Sequence, residues 1–231
     1  MTPGVAFVFP GQGSQAVGMG QEFYDSDPEA RALFEQAGQV LGYDVAALCV
    51  QGPADQLNLT EYTQPALLTV SVVALRLLER AGLRPSAVAG HSLGEYTAVV
   101  AAGGLAFPDA VALVRKRGRY MQAAAARLAV DVDRVPMQDL TVPLINNVEA
   151  RPICSAADVR TSLVRQLASS VLWEESVQAL VKMGIHTLVE VGPGKVLTGL
   201  AKRIAPELRL LNVYDRPSLA ATVEALAAAR S

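Results

Sequence analysis

Histidine and cysteine are scarce in this 231-residue chain, two of each, and aromatic residues make up only 5% of it. Cys49 and Cys154 have neither metal-ligand nor redox spacing, which excludes a disulfide scaffold and a cysteine-held metal and implies reduced thiols. Neither sign of charge dominates: 20 Lys and Arg against 22 Asp and Glu give a net charge of -2, not the footprint of a nucleic-acid binder. The one dense basic run is Arg115, Lys116, Arg117 and Arg119. Long apolar runs are missing too. The best candidate, Ala66 to Leu78, is too short to span a bilayer and contains Arg76. The apolar Val5 to Phe9 follows an uncharged start and is too short for a signal peptide, so the expected location is the cytoplasm.

What the chain does have is a core. Hydrophobic residues make up 51% and charged residues 18%, which excludes a disordered protein. The continuous apolar run Val5–Phe9 reads as a strand buried on both faces, and Ala87–Gly90, Val142–Val148, Thr187–Val191 and Leu208–Val213 read as further strands. Between them the spacing predicts helices over Pro28–Leu41, Pro65–Ala81, Leu93–Ala102, Pro108 to about Ala129, Ala157–Leu167, Glu174–Met183, Lys195–Ile204 and Ser218–Arg230. This alternation implies an α/β fold, a doubly wound and mainly parallel sheet flanked by helices. No repeat or linker divides the chain, so residues 1–231 read as a single domain.

Gly90-His91-Ser92-Leu93-Gly94 fits the G-x-S-x-G nucleophile elbow, with the strand before it and the helix after it that the motif requires. A sharp strand-to-helix turn crowds its neighbours, hence the glycines, and the following helix points its N-terminus at a developing oxyanion. Pro10-Gly11-Gln12-Gly13-Ser14-Gln15 follows the first strand and should lie beside Ser92, because such sheets bind ligands at the carboxyl ends of their strands. Taken alone, that loop is also compatible with a phosphate loop or an ordinary turn, although it is not G-x-G-x-x-G. Charge alone makes Arg117 part of a solvated helix face.

The motifs together resemble a family. Phe9 to Gln15, Thr63-Gln64-Pro65-Ala66, Gly90 to Tyr96, Arg117-Gly118 with Met121-Gln122, Val142-Pro143 with Asn146-Asn147-Val148, and Glu190 to Leu197 occur in the order found in malonyl-CoA:acyl-carrier-protein transacylases of bacterial fatty-acid synthesis. The acyltransferase domains of polyketide synthases are close relatives. The resemblance implies that Ser92 takes a malonyl group from coenzyme A and passes it to the phosphopantetheine thiol of acyl carrier protein. It further implies an oxyanion hole from the backbone N–H groups of Gln12 and Leu93, with Arg117 on the malonyl carboxylate and Gln64 in the pocket. It implies no metal and no resident cofactor, a carrier protein and a coenzyme A thioester as partners, and a monomer. Lys195, Lys202 and Arg203 are candidates for docking an acidic carrier.

One expected part has no counterpart. Family members carry a ferredoxin-like small subdomain after the arginine helix, and near its end stands the catalytic histidine. Here Met121-Gln122 runs into four alanines and Arg127-Leu128-Ala129, so the deletion is expected near 122–127, as an engineered excision would leave it, with one helix running through the junction. His91 should point away from Ser92, and His186 should lie at the opposite end of the sheet. Gln166 matches the position whose backbone carbonyl orients the family's histidine. The expectation is therefore a large acyltransferase subdomain whose transfer activity is severely impaired. A non-catalytic scaffold holding acyl-CoA or carrier protein stands beside it as the alternative, and an unrelated serine hydrolase is the third.

Overall fold

The computed structural model describes residues 2, 4–120, 125–166, 169 and 171–228. Its strands are β1 (Val5–Phe9), β2 (Ala87–Gly90), β3 (Leu144–Ile145), β4 (Pro152–Ile153), β5 (Thr187–Val191) and β6 (Arg209–Val213). They form one sheet in the order β4-β3-β2-β1-β5-β6, parallel except for the β3–β4 pair at one edge. The helices are α1 (Gln21–Ser26), α2 (Pro28–Leu41), α3 (Val45–Gln51), α4 (Ala54–Leu57), α5 (Thr60–Arg80), α6 (Gly94–Ala101), α7 (Phe107–Tyr120), α8 (Ala125–Arg134), α9 (Ala156–Gln166), α10 (Trp173–Lys182), α11 (Val196–Ile204) and α12 (Arg216–Ala227).

The central strand explains the layering. Every residue of β1 is buried, and successive side chains leave opposite faces of the sheet. Val5, Phe7 and Phe9 join a large core with Leu68, Val72 and Leu75 of α5 and Val114 of α7, whereas Ala6 and Val8 meet Val177 and Leu180 of α10 and Ala201 of α11. Helices therefore cover both faces, and the doubly wound α/β expectation holds. The expected strand over 142–148 is shorter. At Asn146 the chain turns, with Ala150 N–H donating to Asn146 O and Asn146 N–H to Arg151 O, and returns as the antiparallel edge strand β4.

The expected continuous helix from Pro108 to Ala129 is not formed. Lys116 of α7 pairs with Asp131 of α8 at 2.7 Å across a separation of fifteen residues. In one straight helix those residues would stand roughly 22 Å apart, at 1.5 Å rise per residue. α7 and α8 are therefore two separate helices packed side by side. The expected junction at 122–127 falls largely outside the described residues. Leu128 and Val132 of α8 are buried, and Arg160 of α9 donates to the Val132 and Val135 carbonyls, satisfying acceptors at the C-terminal end of α8.

A buried charge ties three helices together. Asp27 caps α2 by accepting from the N–H groups of Glu29 and Ala30, and it pairs with Arg80 of α5 and Arg216 of α12. The Arg80 guanidinium holds its carboxyl down at about 2, against an ordinary value of 3.8. An acid whose folded pKa is depressed contributes stability above its unfolded pKa and loses it as pH falls through the folded one. Asp27→Ala should therefore cost about 1–3 kcal/mol at neutral pH, the loss of a cap plus partly exposed ion pairs. In urea unfolding at stepped pH, the gap between variant and parent should stay constant down to about 3.8 and close toward about 2.

Candidate active site

The elbow is built by close backbone contact. Gly90 ends β2, Ser92 sits at φ +52°, and α6 begins at Gly94. A Cβ on Gly94 would come within 2.0 Å of the Phe9 carbonyl oxygen, and one on Gly90 within 2.0 Å of the Gly94 carbonyl carbon. Only glycine lets β1, β2 and α6 approach this closely, and that approach turns Ser92 out at the carboxyl end of the sheet. The strained residue is held from a third side by Asn147, which follows β3. Its Oδ1 accepts from the Ser92 N–H at 2.7 Å, and its Nδ2 donates to the Gly90 carbonyl at 2.5 Å.

Arg117 is no solvated face: it is 2% exposed and reaches in from α7. Its Nη1 donates to Gln64 Oε1 at 2.9 Å, and its Nη2 to Ser92 Oγ at 3.0 Å and Gln166 Oε1 at 3.1 Å. The Tyr96 ring lies 5.5 Å from the guanidinium carbon. Four residues singled out from sequence, Ser92, Arg117, Gln64 and Gln166, thus meet in one network. Gln12 lies at the exposed rim and donates through Nε2 to Thr60 Oγ1 at 3.3 Å. The backbone N–H groups of Gln12 and Leu93 have no acceptor among the described residues.

Gln166, expected to act through its backbone carbonyl, also enters the network through its side chain. Nε2 donates to the Ser92 carbonyl at 2.8 Å, to Asn147 Oδ1 at 3.2 Å and to the Glu95 carboxyl, while Oε1 faces Arg117. Neither histidine is a partner of Ser92 Oγ. The His91 ring packs edge-on to Trp173, with centroids 5.9 Å apart, and burial holds its pKa below the ordinary value. His186 lies against Gly4 at the amino end of β5, its Nδ1 3.0 Å from Thr187 Oγ1. The three basic candidates for docking stand at the two ends of α11. Lys195 stands over the Tyr214 ring at the start of α11, while Lys202 and Arg203 lie in its last turn.

Three residues of the network carried no role in the sequence reading: Asn147, Glu95 and Ser162. Glu95 is fully buried in the first turn of α6. It accepts from Ser162 Oγ at 2.9 Å and the Asn147 N–H at 3.3 Å, as well as from Gln166. Burial pushes its carboxyl up to about 7, against the pull of these donors and of Arg117. Glu95 and Asn147 stand inside quoted motifs, so their positions were visible although their task was not. Asn147→Ala would leave a buried donor and acceptor of the elbow unpaired, and thermal or urea unfolding should show a loss of about 1–3 kcal/mol.

The chain is similar to known proteins. The acyl transferase domain model matches residues 6–131. The malonyl CoA-acyl carrier protein transacylase of Bacillus subtilis is 33% identical over 307 aligned positions, covering 96% of this chain and 97% of the relative. That of Salmonella typhimurium is 35% identical over 303 positions, covering 94% and 98%. Both alignments run over more positions than the 231 residues of this chain, so each relative carries internal residues with no counterpart here. Among solved structures, an acyl carrier protein S-malonyltransferase from Vibrio cholerae superposes with a TM-score of 0.92 at 32% identity, covering 94% of this chain and 99% of that one. A type II polyketide malonyl-transacylase, solved in complex with its acyl carrier protein, does so with 0.92 at 33% identity, covering 96% and 99%. An elbow serine beside a buried arginine, on a sheet that superposes on these enzymes, places the chain in the malonyl-CoA:acyl carrier protein transacylase family of acyl transferase domains.

Proposed function

We propose that this chain accepts a malonyl group from malonyl-CoA on Ser92 and passes it to the phosphopantetheine thiol of an acyl carrier protein. The observation that carries this reading is the 3.0 Å contact between Arg117 Nη2 and Ser92 Oγ. A guanidinium binds a carboxylate through two parallel N–H bonds. A carboxylate docked there has its thioester carbonyl one methylene away if it is malonyl, which brings the carbonyl carbon to Oγ. The acyl-enzyme then follows. The Oγ–C bond forms, the C–S bond breaks, the sulfur leaves with the bonding pair, and the hydroxyl proton passes to solvent and on to the thiolate. The carrier's thiol reverses the step. Charge developing on the carbonyl oxygen meets the N–H groups of Gln12 and Leu93 and the N-terminus of α6.

Speed is another matter. We read the residues that relatives carry and this chain does not as the small subdomain with its base histidine, deleted near 122–127. The chain is then the large subdomain alone, and a missing general base costs ~10²–10⁴ in rate. Among the described residues Ser92 Oγ has a donor and no acceptor, which also supports the second reading, a module that holds acyl-CoA or carrier protein without turnover. The location that fits these partners is the cytoplasm.

Intact-mass spectrometry after incubation with malonyl-CoA should show one malonyl adduct, absent in Ser92→Ala. Arg117→Ala should slow malonylation roughly 10- to 100-fold, the worth of a charge-assisted hydrogen bond, and leave acetyl transfer from acetyl-CoA nearly unchanged. An adduct that survives Ser92→Ala would overturn the acyl-enzyme. Carrier malonylation as fast as by intact relatives would overturn the impairment.

A further inference from the structure

The site holds two buried charges of opposite sign, and its substrate would bring a third. Glu95 is 0% exposed and Arg117 2%. The Gln166 side chain lies between them, its amide nitrogen on the carboxyl and its oxygen on the guanidinium. This orientation satisfies both neighbours, since a carboxylate takes only donors and a guanidinium only acceptors. The groups facing Glu95 come from every element packed on it: Arg117 from α7, Ser162 and Gln166 from α9, Asn147 after β3, and Tyr96 beside it on α6. Tyr96 stays neutral, because burial raises its hydroxyl above the ordinary range. Arg117 is the charged group that acts on Glu95, and without substrate each charge offsets the other's burial.

A carboxylate docked on Arg117 upsets that balance, leaving two anions to one cation, with Glu95 and Arg117 themselves buried. Like charges sharing a site raise the pKa of one of them. The malonyl carboxylate is held by the guanidinium, so the group free to take a proton is Glu95. Its surroundings accommodate one. Oε1 meets the hydroxyl of Ser162, which can turn from donor to acceptor, while Oε2 keeps the bonds from Gln166 and the Asn147 N–H. Protonation thus breaks no contact that positions Ser92 or Arg117.

We propose that Glu95 takes up a proton from solvent when a carboxylated acyl thioester docks on Arg117, so that the site exchanges the substrate's negative charge for a proton. Glu95 is a positioning residue and does not touch the reacting atoms. Burial already holds its carboxyl at about 7, so a modest further rise suffices near neutral pH. The inference rests on the reading of Arg117 as the malonyl-carboxylate site.

The sign follows from linkage. Malonyl binds the protonated form better, so its affinity is constant below the free protein's Glu95 pKa and falls above it, by up to about tenfold per pH unit. An acetyl group has no carboxylate and should show no such slope. The test is calorimetric titration of the chain with non-transferable carba-analogues of malonyl- and acetyl-CoA, with methylene in place of the thioester sulfur, in buffers of differing ionisation enthalpy. The acetyl analogue carries the same phosphates and serves as the control. For a rise of about one unit, net uptake peaking at about half a proton is expected for the malonyl analogue slightly above neutral pH, none for the acetyl analogue, and none for either in Glu95→Gln. In the unaltered chain, infrared difference spectra should show a buried carboxylic-acid carbonyl appearing when the malonyl analogue binds, a readout that needs no variant. Preference for the malonyl analogue without proton uptake, or uptake that persists in Glu95→Gln, overturns this inference alone. No preference for the malonyl over the acetyl analogue overturns the reading of Arg117, and this inference with it.

Discussion

The site depends on one strained residue and the contacts that keep it so. Ser92 at φ +52° occupies backbone space that L-residues with side chains seldom adopt, at a cost of order 1–3 kcal/mol. The strain persists because it is fixed from three sides. α6 sits against the Phe9 carbonyl with only a glycine between them, the His91 N–H continues the ladder to β1, and Asn147 clamps the turn from beyond β3. The order β3-β2-β1 in the sheet is therefore a requirement of the elbow as well as of the core.

Around the elbow, burial decides what each charge can do. An arginine in water is a weak point of attachment. Arg117, 2% exposed and fixed by Gln64 and Gln166, is a preorganised one. Its burial in turn calls for an anion within reach, and Glu95 supplies it across the Gln166 amide. Thus Glu95 on the elbow helix, Arg117 on α7 and Gln166 on α9 are joined by hydrogen bonds and charge rather than by apolar packing alone.

Much of this was legible in the sequence, and the exceptions have physical reasons. The elbow could be read because its glycines, serine and flanking elements are local. Asn147 and Ser162 could not, because their work depends on a strand and a helix brought back over more than fifty residues of chain. The division into α7 and α8 was invisible for a different reason. Val114 and Gly118 are buried, and so are Leu128 and Val132 two heptads on, a drift of only about 40° on a straight helix. The apolar stripe therefore continues in phase from one helix to the next, and alanine carries no signal against helix. The strand over 142–148 was overcalled because Asn146 and Asn147 follow an apolar run but are used for a turn and for the elbow. The side-chain contacts of Gln166 were not legible beside its backbone role, since both leave the same letter in a sequence.

In the proposed transfer, Arg117 holds a carboxylate one methylene from the carbonyl that Ser92 attacks. Spacer length tests it most directly, through the initial rate of Ser92 acylation by malonyl-, acetyl- and succinyl-CoA under identical conditions. Malonyl should exceed both others by about tenfold or more, because acetyl lacks the carboxylate and succinyl, one methylene longer, cannot satisfy Arg117 and Ser92 together; such misplacement of reacting groups is costly. Succinyl or acetyl transfer as fast as malonyl would contradict it.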